Sequence, residues 1–142
     1  MIEKFNCSCT IVHMNIVADT NMCWTVALNE PEKDSIIQLT TGMVTIAPEI
    51  LPYEIGNALT AMVKRKQITP NEAMSALGIA NKIPVRLAQV DIPQALKLAL
   101  DFNIYAYDAY FLHCAKTSSC PLITLDNRMK QVAIKLNIEI LE

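Results

Sequence analysis

Short apolar runs alternate with longer stretches of helical spacing along nearly the whole chain, and this alternation most limits the folds open to it. The runs are "NIVA" (15–18), "MVTIA" (43–47), "VRLAQV" (85–90), "PLITL" (121–125) and "IEIL" (138–141). Helical patterns fill 21–29, where Pro31 stops the helix, and then 32–41, 49–66, 91–102, 107–117 and 127–136. A further helix opens on "TPNEAMSALGIANKI", where Thr69 and Glu72 form a capping box and Pro70 takes the first helical position. Strands alternating with helices of this length need right-handed crossovers, and crossovers cover both faces of a mainly parallel sheet. The chain therefore reads as α/β: a three-layer α/β/α sandwich around a mainly parallel sheet of about five strands. With 142 residues it is one domain, large enough to bury a core without metal or disulfide support. Only three glycines occur, too few for a turn-rich all-β protein, and no glycine-rich phosphate loop is present.

Residues 14–142 carry this pattern, and residues 1–13, "MIEKFNCSCTIVH", stand outside it as a lead of uncertain structure. The lead has Glu3 and Lys4 early and no long apolar stretch, so it is a poor signal peptide. No run reaches the roughly 18 apolar residues of a membrane helix. Five cysteines form an odd, unpatterned set. These features predict a reducing cytoplasm rather than a disulfide framework. Cys7, Cys9 and His13, or His113 beside Cys114, match no standard zinc spacing.

Four acids break the apolar pattern. Asp19 and Asp126 each end a hydrophobic strand and precede a helix, in "VADTN" and "PLITLD". Glu54 lies in the stripe with Ile50, Leu51, Ala58 and Met62, on the core-facing side of its helix. Asp108 has Phe111, Leu112 and Ala115 at the helical spacings that share its face. Singly, each has a plain explanation: a helix N-cap for Asp19 and Asp126, an ion pair for Glu54 and Asp108. Together, two strand-end acids and two core-facing helix acids can converge beyond the carboxyl end of a parallel sheet, where such folds bind ligands. Carboxylates so gathered repel one another unless a hard divalent cation sits among them, and oxygen-only ligation favours Mg²⁺ or Mn²⁺.

The segments "VADTN", "APEILPYEIGNAL", "IYAYDAYFLHCA" and "CPLITLDNRM" resemble, in order, the four acidic motifs of PIN-domain ribonucleases, and among these the VapC-like toxins of bacterial toxin–antitoxin modules. The resemblance covers 14–142. It implies a PIN-like fold and a metal site of Asp19, Glu54, Asp108 and Asp126, with Asp19 and Asp108 as principal ligands and Asp126 completing the set. Glu54 would bind a second metal or orient the attacking water. Asn21 and Thr124 would orient ligands or hold water. The implied activity is Mg²⁺-dependent hydrolysis of RNA, with Mn²⁺ as a substitute, leaving a 5′-phosphate and a 3′-hydroxyl. The implied partners are a small cognate antitoxin, seated in an apolar groove formed by "MCWTVAL" and the helices at 50–83, and a second copy of the chain.

Net charge is −2, and setting aside the four metal-bound acids leaves −2 + 4 = +2, so charge neither requires nor excludes a nucleic-acid substrate. Candidate phosphate contacts are Lys64, Arg65 and Lys66, Lys116, and Arg128 with Lys130. The Lys64–Lys66 run closes a helix, where cations suit the dipole, whereas Arg128 opens one, where they do not. Its charge there calls for a compensating carboxylate or phosphate. Two rival readings are a catalytically inactive PIN-like RNA-binding or scaffold module and an aspartyl-phosphate phosphatase or receiver domain. The former does not need four intact acids. The latter wants a D-x-D or an acidic pair in the first loop, where this chain has "DTN".

Overall fold

The computed structural model describes residues 14–142. The first strand, β1 (Asn15–Ala18), leads into α1 (Thr20–Ala27) and α2 (Lys33–Thr40), and the chain returns as β2 (Val44–Pro48). Next come α3 (Leu51–Lys64), α4 (Pro70–Ala80), β3 (Val85–Ala88), α5 (Ile92–Phe102) and α6 (Ala106–Thr117). A two-residue strand, β4 (Leu122–Ile123), and α7 (Asn127–Lys135) follow. The strands form one parallel sheet in the order β3-β2-β1-β4, with β1 interior.

Burial along β1 shows why helices must lie on both faces. Ile16 and Ala18 pack with Met22, Ile36 and Ile123 in one apolar cluster, whereas Val17 joins the larger cluster that includes Ile46, Leu112 and Val132. Successive side chains point to opposite faces, so the apolar run Ile16–Val17–Ala18 needs cover above and below. The expected α/β/α sandwich is the observed one.

Local signals fix most element ends. Thr69 and Glu72 form the reciprocal capping box on α4, and Asp91 caps α5 through the Gln94 N–H at 3.1 Å. Gly42, with φ +77°, turns the chain from α2 into β2. Two expectations are corrected. The first helix stops at Ala27, before Pro31, because Asn29 takes a left-handed conformation with φ 56°. The expected fifth strand reduces to one bridge, Leu122 to Ile140, with Leu122 N–H donating to the Glu139 carbonyl at 2.8 Å. Its neighbour β4 has only two residues in the ladder, so a longer pairing has no template. The expectations for residues 1–13, Cys7, Cys9 and His13 included, lie outside the described residues.

Candidate metal centre

Sheet register builds the centre. In β1 and β4, Val17 pairs with Leu122 and Ala18 with Ile123, so the next residues, Asp19 and Thr124, come abreast just past the strand ends. The Asp19 N–H still donates to the Ile123 carbonyl at 3.3 Å. Asp19 is the N-cap of α1: its Oδ1 accepts from the Met22 N–H at 3.1 Å. Its Oδ2 accepts the Thr124 hydroxyl proton. At 3% exposure it is the only buried carboxylate among the described residues. Thr124, equally buried, also accepts the Asp126 N–H at 3.0 Å. Asp126 in turn caps α7 through the Met129 N–H at 2.8 Å. One hydroxyl thus ties the two strand-end acids together.

The other two acids come from helices. Glu54 and Asp108 stand in the first turns of α3 and α6, where the dipole favours a negative charge. Both are half-buried. Glu54 Oε2 accepts the Thr20 hydroxyl proton, which fastens α3 to the start of α1.

The four acids feel one another. Burial is the main reason that the Asp19 carboxyl is pushed up to about 6; its bonds from Thr124 and Met22 oppose the rise, and the charges of Asp126 and Asp108 add to it. Burial also raises Glu54, with Thr20 lowering it and Asp108 raising it further. Asp108 is raised by burial first and by Asp126 second. Among the described residues the one ion pair is Lys130–Glu142, so no cation neutralises any of the four. The ion-pair explanation of Glu54 and Asp108 therefore fails.

The side chains are near enough to act on each other electrostatically, yet among the described residues no three His, Cys, Asp or Glu groups form a ready ligand cage. The donor chemistry fits a hard divalent cation: all four donors are oxygens, their charges are uncompensated, and Thr20 and Thr124 pin one oxygen each of Glu54 and Asp19.

Other predicted site residues fall differently. Asn21 is exposed and its side chain bonds none of the acids directly, but it lines one cavity with Glu54 and another with Asp126; the hydroxyl that bonds Glu54 is that of Thr20. The signal for Thr20 was a hydroxyl directly after a strand-end acid, at the first position of a helix. Lys64 and Arg65 close α3, ten and eleven residues beyond Glu54, or about 15 Å along the axis. Lys116 stands eight residues beyond Asp108, about 12 Å away, and lines a separate cavity with Asp101 and His113. Lys66 is exposed beyond the same end of α3, and Lys130 is held by Glu142.

Arg128 has no carboxylate partner among the described residues. Its Nη2 donates to the Phe102 carbonyl at 2.7 Å. That carbonyl belongs to the last turn of α5, where unpaired acceptors and the negative dipole end attract a guanidinium. Arg128 therefore ties the start of α7 to the end of α5.

Fold and site together define a parallel α/β protein with four acids near the carboxyl edge of its sheet. The PIN domain family profile matches residues 16–135, and the chain belongs to that family, whose members are generally nucleases. Two solved structures share the fold. PAE2754 from Pyrobaculum aerophilum is 17% identical, with 87% of this chain and 90% of that one covered and a TM-score of 0.63. VapBC2 from Rickettsia felis, bound to a DNA fragment from their promoter, is 14% identical, with 90% and 98% covered and a TM-score of 0.65. No curated protein matches the sequence.

Proposed function

We propose that this chain is a Mg²⁺-dependent endoribonuclease, with Mn²⁺ able to substitute, and that it serves as the toxin of a toxin–antitoxin pair. The observation that carries this reading is that Asp126 and Asp108 raise Asp19, Asp108 raises Glu54 and Asp126 raises Asp108, with no cation paired to any of the four among the described residues. The likeness to VapBC2 supports an antitoxin partner. We further propose that the active form is a homodimer in the cytoplasm, as the sequence resemblance to VapC-like PIN-domain toxins implies. Among the described residues no helix is long and apolar enough to cross a membrane.

Asp19, Asp108 and Asp126 would hold the ion, which when bound supplies charge stabilisation at the phosphate and a more acidic water. Asp19 is positioned at both oxygens before any ion arrives, by Met22 and Thr124. Thr124 keeps Asp19 and Asp126 in fixed relation. Glu54 has one oxygen held by Thr20, which leaves Oε1 to orient the attacking water and accept its proton. Its raised pKa suits that role, because a base poised closer to neutral pH gains more by taking a proton.

The test pairs two assays. Mg²⁺ or Mn²⁺ should raise the melting temperature, and Asp19→Asn should abolish most of that rise. Single-stranded RNA should be cut by the wild type in Mg²⁺ and left intact by Asp19→Asn and Asp108→Asn. Metal stabilisation without cleavage of any RNA would favour an inactive scaffold; equal metal stabilisation of wild type and Asp19→Asn would remove the metal centre altogether.

A further inference from the structure

Two cavities meet at the first turns of α3 and α6. The smaller, about 340 Å³, contains Glu54 and Thr20. The larger, about 480 Å³, lies beside it and is lined by Tyr110, Val90, Ile92 and Glu49. Ile50, Tyr53 and Tyr107 line both. Tyr53 precedes Glu54 in sequence and Tyr107 precedes Asp108, so two of the acids each carry a tyrosine at the shared wall. The rings are not core residues: Tyr53 is 75% exposed and Tyr107 54%. Tyr107 meets Tyr110 edge to face, with centroids 5.8 Å apart and planes at 87°, a favourable aromatic pairing.

The lining selects a kind of occupant. No lysine or arginine borders the larger cavity, and its one charged residue is Glu49. A phosphate would be repelled there. An uncharged flat ring would stack on tyrosine, and an amino group on that ring would find an acceptor in the Glu49 carboxylate. The volume lies within the range of small-ligand sites. Unpaired RNA bases are read in this way, by stacking on aromatic side chains and by hydrogen bonds along their edges.

We infer that Tyr53 and Tyr107 hold an unpaired RNA base next to the phosphate being cut, and that Glu49 reads its amino group, favouring cytosine, adenine or guanine over uracil. The inference rests on the ribonuclease reading above, and the two can fail separately. The probe is single-stranded RNA carrying one 2-aminopurine at successive positions around the wild-type cut, followed by stopped-flow fluorescence ahead of turnover. One position should be quenched on binding. Tyr53→Phe keeps the aromatic face and should keep the quenching. Tyr53→Leu should abolish it and weaken RNA binding by about 10-fold, the scale of one lost base stack. Tyr107→Leu should act alike, and Glu49→Ala should lose the preference against uracil at that position.

Because Tyr53 is largely solvent-exposed, its variants should melt as the wild type does, which separates lost stacking from lost folding. RNA binding with no quenched position, or quenching unchanged in Tyr53→Leu, overturns the base site. Wild type that binds no RNA overturns this inference and the ribonuclease reading together.

Discussion

Replacing Asp19 with asparagine should stabilise the metal-free protein at alkaline pH, even though it damages the site. The Asp19 carboxyl is raised from 3.8 to about 6 in the fold. A shift of that size corresponds to about 3 kcal/mol, at 1.36 kcal/mol per pKa unit. Because Asp19 is almost fully buried, solvent screening takes little from this figure. A raised carboxyl means that the folded state binds the proton more tightly than the unfolded chain does. The fold therefore bears the full cost above pH 6, about half of it at pH 5, and none well below 3.8.

Asparagine removes the charge and keeps an acceptor for the Met22 N–H. It turns a donor toward Thr124, however, whose hydroxyl then loses its acceptor at a cost of about 1 kcal/mol. The net gain should be about 2 kcal/mol at pH 8 in chelator, shrinking to about 0.5 kcal/mol at pH 5 and reversing below about pH 4.5. Urea denaturation at these pH values with EDTA measures this directly, and added Mn²⁺ should stabilise only the wild type. A variant less stable than wild type at pH 8, by an amount that does not change down to pH 5, would falsify the account of Asp19 as a buried, uncompensated charge.

Asp108→Asn should likewise be neutral or stabilising in chelator, since it relieves repulsion from Asp126; a loss of about 3–5 kcal/mol would instead signal a buried ion pair. Thr124→Val leaves Asp19 without its hydroxyl donor and the Asp126 N–H without its acceptor, so stability should fall by about 1–3 kcal/mol and Mn²⁺ affinity should drop with it, as seen in a thermal melt with metal titration. Arg128→Ala should cost about 1 kcal/mol by releasing the Phe102 carbonyl, while the salt dependence of RNA binding stays as in wild type; a shallower slope would place a phosphate on Arg128 after all.

The chain's own periodicity determined the layered α/β architecture and the four acid positions. Both are local properties: an apolar run of strand length, a helix cap or an acid within a helical stripe is visible within a few residues. Asp19 could be read as a strand-end acid because β1 ends where its apolar run ends; β4 stops at Ile123, so Asp126 stands three residues past its strand and is marked locally by its helix cap instead. The order β3-β2-β1-β4 and the partners of these acids came only with the folded chain. Thr124 reaches Asp19 across 105 residues because the parallel register of β1 and β4 brings them abreast. Thr20 rather than Asn21 holds Glu54 because the approach of α3 to the start of α1 decides which side chain faces it. Arg128 finds the Phe102 carbonyl because α5 happens to end beside the start of α7. Spacing along a chain states which face of an element is apolar, but which element ends meet is set by sheet register and helix packing. Those are properties of the whole fold, and they bring the four acids within electrostatic reach of one another.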